Sequence, residues 1–136
     1  MDYPNTQHCF LCGNQNPMGF KLKFKEESGD TISETTIPSQ YQGFDGVVHG
    51  GIVATFLDEI MAQAVKKSGQ KALTGTLTVK YRKPCRTDEQ IQMKGRIVEI
   101  NGRIIKAQGE IIQDQEVVAE GEGIFVVPRN TELNES

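Results

Sequence analysis

An α+β fold, with one curved antiparallel sheet wrapped round a single helix, follows from three observations on this chain. Apolar residues recur at strong helical spacing in one stretch, from Ile52 to Val65. After it, the segments alternate apolar and polar residues, the period of half-buried strands. Asn101-Gly102 joins two of those segments as a two-residue hairpin turn would. A helix of roughly four to five turns must bury its apolar stripe, and the sheet is the available partner.

The elements follow in order. Residues 1–7 and 130–136 are polar ends without periodicity and are expected to fray. Between them the chain reads as one domain with its core over about residues 19–128. Phe20, Leu22 and Phe24 alternate with Lys21, Lys23 and Lys25, which predicts a first strand. Ser28-Gly29-Asp30 turns it back into a second strand over Thr31–Ile37, ended by Pro38. Ser39–Val48 carries turn residues and two aromatics, Tyr41 and Phe44, without a regular pattern, and predicts a loop. The helix places Ile52, Val53, Phe56, Leu57, Ile60, Met61, Ala64 and Val65 on one side. Lys66, Lys67, Ser68 and Gly69 supply its stop. Leu73, Leu77, Val79 and Tyr81 share one strand parity and Thr76, Thr78, Lys80 and Arg82 the other, up to Pro84. Ile91–Ile100, Arg103–Ile112 and Val117–Val127 complete the sheet. Gly95, Gly109, Gly121 and Gly123 lie inside these strands, where glycine weakens pairing and permits bulges and curvature.

Composition narrows the function. A chain of 136 residues with 37% hydrophobic and 24% charged residues suits a single globular core. A net charge of −3 argues against general nucleic-acid binding, which needs clustered Lys and Arg. No apolar run reaches the length of a membrane span, and the polar N-terminus lacks a signal-peptide core, so a cytoplasmic location is expected. Three cysteines without a secretion signal suit reduced thiols.

The chemistry concentrates in Val48-His49-Gly50-Gly51 and Asp58. Paired glycines at a helix start leave backbone N–H groups open to a close oxygen-rich ligand, at the positive end of the helix dipole. Asp58 follows two to three turns on, in a sector with Ala54, Leu57, Met61 and Ala62. An unpaired carboxylate is costly to bury, so an acid there lines a cavity or is paired. An oxyanion site plus a carboxylate, with no serine or cysteine nucleophile beside them, suggests hydrolysis of an activated ester. Glu59 is the competing acid, but its sector holds Thr55 and Gln63 and suits a polar face.

With helix and strand order in place, the chain resembles the hotdog fold, and within it the PaaI-like acyl-CoA thioesterases, over roughly Gly19–Pro128. The resemblance rests on Gly46-x-x-His49-Gly50-Gly51 followed by Leu57-Asp58, on Val79-x-Tyr81-x-x-Pro84, and on the opening Cys9-x-x-Cys12-Gly13-x-x-Asn16-Pro17-x-Gly19. It implies one long helix wrapped by a curved antiparallel sheet of about five to six strands. It also implies a catalytic acid nine positions after the histidine, here Asp58, and an oxyanion donor at the first glycine, Gly50. A hydroxyl residue sixteen positions after the acid helps place water in some members, and Thr74 fills that position. Many members carry an asparagine six positions before the histidine; here that residue is Gly43, with Gln42 beside it as a substitute polarising group.

Each residue has a plainer alternative. His49 reads as a structural or substrate-contact residue, because no Gly-x-Ser-x-Gly elbow offers it a nucleophile. Gly50 and Gly51 are equally permissive for backbone packing. Strict alternation turns Thr74 away from the apolar side unless Gly75 hosts a bulge that resets the parity. Cys9-x-x-Cys12 holds half of the ligands of a closed zinc site, with His8 and Cys85 as the plausible additions. A tight structural turn is the preferred reading, and no metal is assigned. Lys80, Arg82, Lys83 and Arg86 form a basic cluster that either solvates a strand edge or binds coenzyme A phosphates.

The resemblance implies an acyl-CoA substrate and a homodimer or homotetramer, with Gly50 of one subunit facing Asp58 of the other. Asp58 then activates water or attacks the carbonyl itself, and neither a metal nor an organic cofactor is required. The second reading is a non-catalytic acyl-CoA-binding or sensor domain, favoured by Gly43 and opposed by Asp58. A dehydratase acting on hydroxyacyl chains ranks third, since those resemble a different Asp/His arrangement.

Overall fold

The computed structural model describes residues 6–129. The ends 1–5 and 130–136, expected to fray, lie outside the described residues. Thr6 and Gln7, in the polar N-terminal end, both carry hydrogen bonds: the Thr6 carbonyl accepts from Cys9 N–H at 3.1 Å and the Gln7 carbonyl from Gln15 N–H at 2.9 Å.

Six strands and one long helix make up the fold: β1 (Lys25–Glu27), β2 (Asp30–Thr36), α1 (Gly50–Lys67), β3 (Leu73–Tyr81), β4 (Gln90–Asn101), β5 (Ile104–Gln113) and β6 (Glu116–Val126). A 3₁₀ turn, Ser39–Tyr41, lies in the loop before the helix. The strands form one antiparallel sheet in the order β1-β2-β4-β5-β6-β3, with α1 packed on its inner face. This is the α+β arrangement predicted from the periodicities. No helix among the described residues is long and apolar enough to cross a membrane.

The apolar stripe of α1 is buried as its spacing predicts. Val53, Phe56, Leu57, Ile60, Met61, Ala64 and Val65 all face the sheet, each of the larger ones contributing about 1.5–3 kcal/mol. Gly69, at φ +90°, ends the helix with its N–H bonded to the Lys66 carbonyl at 3.0 Å.

Helix and sheet approach closely along a row of glycines paired across three strands, Gly95 with Gly109 and Gly109 with Gly121. A Cβ on Gly95 would lie 2.4 Å from the Ile60 carbonyl oxygen, and one on Gly109 3.0 Å from Met61 Cγ. These glycines clear space for the helix. The register shifts lie elsewhere, at Thr74/Thr76, Ile97/Glu99 and Ile111/Ile112.

Two boundaries differ from the sequence pattern. Phe20, Leu22 and Phe24 do turn inward and their lysine neighbours outward, but the strand proper is only Lys25–Glu27. Lys21 adopts φ +55°, which breaks the extended run, and the segment bonds instead to the N-terminal loop through Phe20 N–H to the Phe10 carbonyl (2.7 Å) and Leu22 N–H to the Leu11 carbonyl (2.8 Å). In the β4–β5 hairpin the central pair is Gly102-Arg103, one residue beyond the expected Asn101-Gly102, because Asn101 pairs with Ile104. Gly102, at φ +61°, takes the first central position, where a type II′ turn needs glycine.

Candidate active site

The start of α1 exposes a single backbone donor. His49 is the N-cap, and its Nδ1 accepts from Gly51 N–H at 3.0 Å, which places the proton of the neutral ring on Nε2. The His49 carbonyl takes the N–H groups of Ile52 (2.9 Å) and Val53 (3.0 Å). Upstream, Val47, Val48 and His49 donate to Phe44, Cys85 and Tyr41 carbonyls. Gly50 is therefore the one residue from 47 to 53 whose N–H has no hydrogen bond among the described residues. Its own carbonyl is held by the Tyr81 hydroxyl at 2.7 Å.

Gly50 lines a cleft of about 670 Å³ between the loop before α1 and the end of β3. His49, Gly50, Tyr81, Arg82 and Lys83 line it, together with Gly43 and Phe44. Phe44, 86% exposed, stands on the rim, whereas the other loop aromatic, Tyr41, packs inward on Phe20 with ring centroids 5.2 Å apart. Gln42 does not line the cleft: its Oε1 is bonded to Gly46 N–H at 3.0 Å and braces its own loop. Three of the four members of the basic cluster are paired. Arg82 bridges Glu120 at 2.8 Å, Lys83 meets Glu116, and Arg86 meets Glu89 at 2.9 Å. Such exposed pairs are weak and exchangeable. Tyr81, which enters the sequence pattern only as part of Val79-x-Tyr81-x-x-Pro84, lines this cleft from the end of the Leu77–Val79 parity of β3.

Asp58 is half-buried on α1 and accepts a hydrogen bond from Thr74 Oγ1 at 2.7 Å. The bulge proposed at Gly75 makes this contact possible. Thr74 pairs with Phe125 and Leu77 with Gly123, both inward positions of β6, and the register shift between Thr74 and Thr76 puts Thr74 on the helix-facing side. Eight residues separate Gly50 from Asp58, an axial rise of about 12 Å. A reacting carbonyl must sit about 3 Å from both its donor and its attacking group. That rise separates the Gly50 N–H and the Asp58 carboxylate of one chain along the helix axis.

Glu59 does not face open solvent as its neighbours suggested. It is half-buried under the N-terminal loop, where it accepts from Gln63 Nε2 at 3.1 Å and from the Cys12 thiol. Burial pushes its carboxyl up and those bonds oppose the shift; burial and the adjacent Glu59 push the Cys12 thiol up. The sulfurs of Cys9 and Cys12 and a Glu59 oxygen all lie within 4.8 Å of one another. Neither His8 nor Cys85, the additions that the sequence offered, belongs to this group.

Comparison with known proteins places these features. The profile of the thioesterase superfamily matches residues 45–120, which include the helix start, Asp58, Thr74 and Tyr81. A crystal structure of a thioesterase superfamily protein is 30% identical, with a TM-score of 0.82 over 88% of this chain. This chain spans 63% of the length of that one. A putative thioesterase, a phenylacetic acid degradation-related protein from Ralstonia eutropha, is 20% identical with a TM-score of 0.72 over 78% of this chain and 84% of its own. A Streptococcus mutans protein bound to acetyl CoA is 20% identical, with a TM-score of 0.73 over 79% of this chain and 88% of its own. The curated proteins gave no match. The architecture is the hotdog fold of these neighbours.

Proposed function

The chain belongs to the thioesterase superfamily, and from that premise we propose that it is an acyl-CoA thioesterase whose active site is completed by a second copy of itself. The unbonded Gly50 N–H, at a helix N-terminus and on the wall of a cleft, carries the reading. Such a donor is preorganised for the negative charge that grows on a thioester oxygen during attack, and a site of this kind contributes on the order of 10²–10³ in rate.

The steps follow from the two ends of the helix segment. The thioester oxygen accepts from Gly50 N–H of one subunit, with His49 capping the helix so that this donor stays fixed. Asp58 of the other subunit, oriented by Thr74, takes a proton from the attacking water, or attacks the carbonyl to give an anhydride that water then cleaves. On either route the C–S bond breaks, the sulfur leaves as the coenzyme A thiol and the acyl group as a carboxylate. The rise of about 12 Å within one chain supports a second subunit as the source of the acid, and of the two edge strands, β1 and β3, it is β3 whose end borders the cleft. Arg82 and Lys83, on the cleft wall, exchange their exposed carboxylate partners for the phosphates of coenzyme A. Acetyl CoA bound to the Streptococcus mutans neighbour supports this choice of carrier. A substrate of this kind and three reduced thiols suit the cytoplasm.

The test is release of free thiol from short, medium and aromatic acyl-CoA substrates, alongside light scattering on size exclusion. We expect turnover on at least one substrate, by a dimer or tetramer of the 15.1 kDa chain. Acyl-CoA binding without thiol release would instead identify a non-catalytic binding domain, and full activity from a monomer would refute the shared site.

A further inference from the structure

The N-terminal loop brings two thiols onto a carboxylate that the hydrolytic scheme does not use. We propose that Cys9, Cys12 and Glu59 form a zinc site that clamps this loop to the middle of α1. Three facts carry the inference.

First, the ligand atoms converge from separate parts of the chain: two sulfurs from the loop and one oxygen from the helix, all within 4.8 Å. Two thiolates and a carboxylate suit a borderline-soft divalent ion, and thiolates select zinc over magnesium or calcium. Three protein ligands leave the fourth tetrahedral position to water. Second, the half-buried Glu59 carboxylate has no ion pair among the described residues; its partners are the Gln63 amide at 3.1 Å and the Cys12 thiol. Lys66 acts on this carboxylate from a distance without forming an ion pair, and a cation seated between the carboxylate and the thiols adds the direct charge contact that the lysine does not make. Third, the loop is wound on itself so that the two cysteines stay aimed at the helix. Gly13 N–H bonds to the Cys9 carbonyl at 2.9 Å, and Asn16 ties the His8 carbonyl and the Met18 N–H, both at 2.9 Å. Gly13 allows no side chain, since a Cβ there would sit 2.4 Å from the Gln7 carbonyl oxygen. Glu59 adjoins Asp58 in sequence, so the clamp fixes the turn of helix that carries the acid, without touching the reacting atoms.

Binding replaces the two thiol protons with metal–sulfur bonds and needs no redox partner. To test it, the reduced, chelator-stripped protein is titrated with zinc chloride against a colorimetric zinc indicator, and cobalt(II) is added separately as a spectroscopic probe. Wild type should take up one zinc per chain at micromolar concentration or tighter, show a thiolate-to-cobalt charge-transfer band, and melt at higher temperature with zinc than without. C9S/C12S should bind none and lose the band. E59Q, which keeps the size of the side chain and its contact with Gln63, should weaken uptake at least about tenfold while keeping the circular dichroism of the wild type. The proposal is overturned if the wild-type apoprotein takes up no zinc, or if C9S/C12S binds as the wild type does. Unchanged affinity in E59Q would equally defeat it, by removing the helix from the site.

Discussion

The Thr74 hydroxyl donates to Asp58 Oδ1 at 2.7 Å, joining the edge strand to the helix at the acid. The bond leaves Asp58 Oδ2 free to act and fixes the direction in which it points. Thr74→Val keeps the shape of the side chain and removes the bond. A hydrogen bond to a charged group contributes about 1.5–3 kcal/mol, so kcat should fall roughly ten- to a hundredfold with KM little changed. Steady-state kinetics on the best acyl-CoA substrate decides this; a change confined to KM would place Thr74 in substrate binding instead.

The glycine row predicts where the fold is least tolerant. Gly95→Ala puts a methyl group 2.4 Å from the Ile60 carbonyl oxygen, backbone against backbone, with no flexible side chain to yield. Overpacking of this kind costs about 1–3 kcal/mol or more, equivalent to a fall of several degrees in Tm. Gly29→Ala, in the β1–β2 turn where a Cβ meets nothing within 4 Å but φ is +85°, should cost less. Thermal melts of the two variants, compared with wild type, should rank in that order.

Cys85 is buried, and burial pushes its thiol up to about 11. At pH 8 about one molecule in a thousand then carries the reactive thiolate. Iodoacetamide should leave Cys85 unmodified in the native protein and label it fully in denaturant, as read by peptide mass spectrometry. Native labelling at the rate of a free cysteine would contradict its placement.

What the sequence disclosed depended on how local the information was. The helix and the four strands from Leu73 onward show in period alone; the helix, β4, β5 and β6 each bury one face in a continuous core, whereas the apolar parity of β3 is only partly covered, by Leu77 and Val79. Asp58 and Gly50 stand out through the His49-Gly50-Gly51 motif, and the roles proposed for them are what its resemblance implies. The facing of Thr74 hung on one bulge at Gly75, which strict alternation contradicts and only the cross-strand register to Phe125 settles. Glu59 was misread because its surroundings come from the aperiodic loop of Cys9 and Cys12, which folds over the helix from fifty residues away. Gln42 failed as a cleft residue for a similar reason: its partner, Gly46, is a matter of loop shape and leaves no periodic trace.

The central claim, that Asp58 performs the attack or activates the water, is tested most directly by Asp58→Asn. The amide keeps the size of the side chain and a bond to Thr74, and removes the basic and nucleophilic oxygen. Thiol release should fall by at least about 10²-fold, with Tm and oligomeric state as in wild type. Retention of more than about a tenth of the wild-type rate in a folded, assembled D58N protein would contradict it.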